Sequence, residues 1–135
     1  RGIDISISHS ANLAVALLAN NFCGIDIQET NDTLLRVKER FCTTNDEETL
    51  GTFFDEAIGA AELNLVWSAK EAIRKTLSYS KVPAFLALKL SMIELIQQDL
   101  YTFYFSYNKQ TLSTICGPHK NYCLALCVQK GSAYA

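Results

Sequence analysis

Trp67, Glu71 and Lys75 recur every fourth residue in the alanine-containing stretch Trp67 to Lys75, WSAKEAIRK. At 3.6 residues per turn they share one helix face, an aromatic, an acid and a base stacked in a stripe. Such a stripe can anchor a helix, help to bind a metal and hold an anion. On its own it is equally an amphipathic helix with a surface Glu–Lys pair, worth roughly 0.3–0.5 kcal/mol. A second stretch upstream, Phe22 to Glu29 (FCGIDIQE), tilts the balance. It reads as a strand, so Asp26 and Gln28 point one way and Ile25, Ile27 and Glu29 the other. A carboxylate flanked by isoleucines is costly unless it is paired or metal-bound. Glu71 follows Asp26 by 45 residues, enough for a helix to return beside the strand. Two converging carboxylates suit a hard cation such as Mg2+, which takes its remaining ligands from water and phosphate oxygens. Lys75, one turn beyond Glu71, would then meet the phosphates.

The elements that must position these groups follow from hydrophobic periodicity. Ile3 to Ile7 alternates and ends in Ser8-His9-Ser10. Leu13 to Ala19 is a continuous apolar run, expected as a buried strand. Asn20-Asn21 reads as a hairpin turn, and Phe22 to Gln28 as a third strand. Gly24 within that strand marks a close approach of backbone or ligand. Asn31 or Asp32 can cap a helix running to about Phe41, and Thr44 to Glu48 opens a short one. A long helix is expected from about Asp55 to Ser78, ended by Lys81-Val82-Pro83. The rest is strand: Leu88 to Met92, Tyr101 to Tyr107, Thr111 to Cys116 and Tyr122 to Val128, the last two separated at Gly117-Pro118-His119. The expected fold class is α+β, an antiparallel sheet packed with one long helix and shorter helices.

The 135 residues suggest one domain spanning 1–135, with 49% hydrophobic and 19% charged residues. A net charge of −2 gives no electrostatic reason to bind nucleic acid or an anionic membrane. The aromatic alternation at Tyr101 to Tyr107 has no basic groove beside it and reads as core rather than a base-stacking platform. The longest aliphatic run, Leu13 to Ala19, is too short to span a bilayer. Five cysteines without a CxxC pattern read as reduced thiols in a cytoplasmic protein. The chain opens on Arg1 directly into a strand pattern, which suggests that an upstream half is absent.

The series Ser8-His9-Ser10, Gly24-Ile25-Asp26, then Trp67-Ser68-Ala69-Lys70-Glu71-Ala72-Ile73-Arg74-Lys75 resembles the surfactin-synthetase-type phosphopantetheinyl transferases. Three motifs in order are more specific than any one, and the likeness runs from about Ile5 to Leu77. It implies an enzyme that moves the phosphopantetheine arm of coenzyme A onto a serine of an acyl or peptidyl carrier protein, with Mg2+ as cofactor. By carry-over, Asp26 and Glu71 hold Mg2+ with Gln28 or a water filling in. Lys75 neutralises the pyrophosphate, Ser8 and His9 contact coenzyme A, and Lys70 is a further contact. Glu71, or a water near the metal, is the candidate base. There are two departures. Many members place glutamate where this chain has Gln28, and the family normally joins two similar halves, so a missing N-terminal half or a homo-oligomer is implied. The alternative is a non-catalytic half-domain that binds a carrier or a partner subunit.

Overall fold

The computed structural model describes residues 2–129. Two antiparallel sheets are present: a ribbon of β1 (Asp4–Ser10) and β2 (Leu13–Ala19), and a five-stranded sheet. The larger sheet contains β3 (Cys23–Glu29), β4 (Lys89–Gln97), β5 (Leu100–Tyr107), β6 (Gln110–His119) and β7 (Tyr122–Val128), in the order β3-β7-β6-β5-β4. The helices are α1 (Thr33–Arg36), α2 (Thr44–Phe54) and α3 (Ala60–Thr76), with 3-10 turns at Lys38–Arg40 and Phe85–Ala87. This is the expected α+β arrangement. Helix α3 lies across β3, β6 and β7. Its Leu63, Val66, Ala69 and Ile73 pack with Phe103 and Phe105 of β5 and Cys116, Cys123 and Ala125 in one core. The five cysteines are all free and buried. Among the described residues no helix is long and apolar enough to cross a membrane.

Several local expectations give way to tertiary context. The hairpin joins β1 to β2 around Ala11, which takes a left-handed φ of 49°, whereas Asn20-Asn21 sends the chain to another sheet. Strand β3 pairs with β7, not with β2. The apolar run of β2, expected to be buried, is half-buried on one side and exposed on the other, with Leu18 62% exposed. The helix expected up to Phe41 stops at Arg36 and resumes as a 3-10 turn. The long helix begins at Ala60 instead of Asp55: Asp55 is left-handed (φ 54°), ending α2, and Glu62 accepts the Gly59 N–H at 2.8 Å to start α3. Strand β6 runs through Gly117-Pro118 to His119. Its pairing with β5 ends at Cys116, so Pro118 sits where that side has no neighbour needing its missing N–H.

The joint between ribbon and sheet is unusual. Strand β1 lies beside the β3 edge with a constant offset of nineteen residues, and no backbone ladder forms. Instead Asp4 and Ser6, Ser8 and Ser10 accept the N–H groups of Cys23, Ile25, Ile27 and Glu29 at 2.8–3.1 Å. Alternation then sends Ile3, Ile5 and Ile7 outward, where all are exposed. The polar face of this strand is the buried one. Serine hydroxyls there satisfy the sheet edge, which isoleucine in the same positions would leave as orphaned donors.

Candidate functional site

Gly24 explains how α3 comes so close to β3. A Cβ at Gly24 would stand 2.1 Å from the Ala72 carbonyl oxygen and 2.9 Å from Lys75 Cβ. Only glycine lets the helix backbone rest on the strand at this point. Gly24, Asp26 and Gln28 share the face of β3 turned to the helix, opposite Cys127, Ala125 and Cys123 in register. Buried Asn64 of α3 fixes the other end of the contact. Its amide donates to the Gln28 carbonyl at 2.9 Å and to Thr30 Oγ1 at 2.8 Å, and Ser68 donates to its oxygen.

Asp26, Lys75 and Ser8 meet here, and Glu71 lies within electrostatic reach of Asp26. Asp26 is only 6% exposed. Its Oδ1 receives Lys75 Nζ at 3.3 Å and the Ser8 hydroxyl at 3.4 Å. Its Oδ2 is buried and, among the described residues, has no hydrogen-bond partner. Lys75 also donates to the Ile25 carbonyl at 2.8 Å and reaches that of Ile7 at 3.5 Å. Burial pushes the Asp26 carboxyl from 3.8 up to about 6; Lys75 opposes the rise and the negative charge of Glu71 adds to it. Glu71 is thus near enough for its charge to be felt at Asp26. An orphaned buried carboxylate oxygen beside a second carboxylate is what a hard cation would satisfy.

Between pH 3.8 and about 6 the folded chain holds a proton on Asp26 that the unfolded chain has released. The contribution of Asp26 to stability is therefore fully present below this window and lost as pH rises through it. We expect the stability difference between the metal-free protein and its Asp26→Asn variant to move by up to about 3 kcal/mol in favour of the variant from pH 4 to 7. Urea melts across that range check this; parallel curves would mean that Asp26 is not buried uncompensated.

The remaining expected residues have other contacts. Lys70 corrects its assignment as a coenzyme A contact. It is fully buried, and its ammonium donates to the Phe41 carbonyl at 2.6 Å, Asp46 Oδ2 at 2.8 Å and the Phe85 carbonyl at 3.0 Å. All three donors are spent on protein oxygens, so none is left for a phosphate. Burial pulls its pKa below the ordinary lysine value, and Asp46 counteracts this. His9 lies on β1 opposite Ala14 and is exposed, one residue out of step with Ser8 and so on the outer face of the ribbon. The Gln28 side-chain amide donates to the Glu29 carbonyl at 3.1 Å. Trp67 turns to the core side, edge-on to Phe41 and stacked on Phe85. Among the described residues no three His, Cys, Asp or Glu side chains form a metal cluster, so the protein offers two carboxylates and a neighbouring amide.

Two participants escaped the sequence reading. Asp46 holds Lys70; its signal was the Thr43-x-x-Asp46 capping box that starts α2. Arg74 pairs with Glu71 at 3.0 Å, and its i,i+3 spacing was visible in the motif.

Residues 22–127 match the 4'-phosphopantetheinyl transferase superfamily, a span from just before β3 to the penultimate residue of β7. The chain belongs to this superfamily. The match takes in Asp26, Glu71 and Lys75 and leaves out the ribbon that carries Ser8 and His9. No curated protein matches the chain.

Proposed function

We propose that the chain transfers the phosphopantetheine arm of coenzyme A to a serine hydroxyl of an acyl or peptidyl carrier protein, in the manner of the surfactin-synthetase-type members. The observation that carries this reading is the buried, unpartnered Oδ2 of Asp26 with Glu71 and Lys75 alongside. Asp26 and Glu71 would hold Mg2+, with Gln28 or water completing its shell. When bound, the ion supplies positive charge to the coenzyme A pyrophosphate and polarises it.

The side chains divide the remaining work. Glu71, 23% exposed at the side chain and fixed by Arg74, takes the proton from the attacking serine. The serine oxygen forms a bond to the phosphorus that carries the pantetheine arm. The bond from that phosphorus to the bridging oxygen breaks, and adenosine 3',5'-bisphosphate leaves. Lys75 is 31% exposed at the side chain. Its contacts to Asp26 and Ile7 are long, so the ammonium, held by the Ile25 carbonyl at 2.8 Å, can present its other protons to a phosphate and neutralise charge on the leaving group. Ser8 steadies Asp26, and exposed His9 reaches coenzyme A from the ribbon. The outward, exposed Ile3, Ile5, Ile7 and Leu18 support reading the chain as one half of a two-half enzyme.

The test is Mg2+-dependent loading of a fluorescent coenzyme A analogue onto an apo-carrier by the full-length protein. Carrier binding without loading would instead identify a non-catalytic docking module. A further expectation concerns Gln28. An amide oxygen is a weaker Mg2+ ligand than a carboxylate, so Gln28→Glu should tighten Mg2+ binding, by about 10-fold in calorimetry. Unchanged or weaker affinity would place position 28 outside the ion's shell.

A further inference from the structure

The Glu71–Arg74 pair is built differently from a surface salt bridge. Two long side chains at i,i+3 ordinarily spend as much entropy as they gain. Here the guanidinium is located before it meets Glu71. Arg74 Nε donates to the Pro83 carbonyl at 2.9 Å, and its Cζ lies 4.2 Å above the centre of the Phe85 ring. Phe85 is itself stacked on Trp67, with centroids 4.9 Å apart and planes 15° from parallel. Its carbonyl is tied down by buried Lys70 at 3.0 Å. From this seat Arg74 Nη1 reaches Glu71 Oε1 at 3.0 Å. Among the described residues Oε2 accepts no hydrogen bond, so one carboxylate oxygen is oriented and the other is left for chemistry.

We infer that Arg74 is a positioning residue. Seated on Pro83 and Phe85, it fixes the Glu71 carboxylate in the orientation that metal binding and proton abstraction use. This rests on the proposed role of Glu71. A stacked, forked guanidinium can make the peptide bond, the ring contact and the carboxylate bond at once; a lysine ammonium cannot. The segment from Pro83 to Phe85 thereby becomes part of the site through its contacts to Arg74.

Charge and position make opposite predictions, which gives a clean test in the full-length protein. Removing a cation beside a metal ligand should by charge alone raise affinity for a divalent ion. Loss of positioning should lower it. Arg74→Gln is expected to weaken Mn2+ binding, measured with the metal alone by electron paramagnetic resonance, by about 10-fold. Its kcat for arm transfer should fall about 10-fold while KM for coenzyme A stays within about two-fold. Arg74→Lys restores charge without the seat and should recover only part of either loss. Phe85→Leu, which leaves Arg74 in place but removes its ring, should weaken Mn2+ in the same direction and serves if the Gln variant does not fold. Equal or tighter Mn2+ binding in Arg74→Gln, or full recovery by lysine, would overturn the inference. A wild-type protein that binds Mn2+ yet never loads a carrier would defeat the proposed function, and the metal titrations would still decide the role of Arg74.

Discussion

Replacing Lys70 by methionine is expected to cost the fold about 3–5 kcal/mol, the usual cost of stranding one partner of a buried ion pair. The thermal midpoint should fall by roughly 10–20 °C in a chain of this size. The physical reason is the number of elements that meet at one ammonium. Lys70 of α3 binds the Phe41 carbonyl ahead of α2, Asp46 in its first turn, and the Phe85 carbonyl before β4. With the ammonium gone, two carbonyls and a carboxylate lose their donor in a region closed to water. Exchanging both charges for apolar residues, often harmless elsewhere, should not rescue this site. Asp46 also accepts the Thr43 N–H at 2.9 Å and the Leu90 N–H at 2.8 Å, so its loss orphans two further donors. A Lys70→Met variant within about 1 kcal/mol of the parent in urea melts would show that the pair is not stabilising.

Asp26→Asn and Glu71→Gln should each lower carrier loading by roughly 100-fold or more, because each removes a carboxylate proposed to hold the Mg2+ that would supply positive charge to the pyrophosphate. The two variants part company in stability. Asn at position 26 keeps the shape and removes a carboxylate that burial penalises, so above about pH 6 it should melt higher than the parent in metal-free buffer. Glu71 is partly exposed, and glutamine there should leave the melting point nearly unchanged. A variant that gains stability as it loses activity marks strain kept for function. Loading rates within a few-fold of the parent for both variants would remove the two acids from the mechanism.

The site was legible wherever local chemistry dictates geometry. Asp26 between isoleucines, Glu71 and Lys75 on one helical stripe and Gly24 in a strand each carry their reason in neighbouring residues. The structure brings the first three together and sets the helix on Gly24. Lys70 was misread because periodicity says which residues share a face, not which face is covered. One 100° step along α3 separates buried Lys70 from part-exposed Glu71. Alternation in Ile3 to Ile7 gives the strand but not its sense, and the ordinary preference for burying isoleucine is overridden by a sheet edge that needs acceptors. The pairing of β3 with β7, nearly a hundred residues apart in sequence, has no local signature at all.

The hydroxyl rail along β1 also makes its alignment with the sheet all-or-none. Shift the ribbon by a single residue and isoleucine methyl groups replace oxygen at two or three of the four rungs, so no intermediate setting holds it. Because Ser8 is at once a rung of that rail and a partner of Asp26, and Ile7 offers its carbonyl to Lys75, the same lock that seats the ribbon also buttresses both members of the Asp26–Lys75 pair.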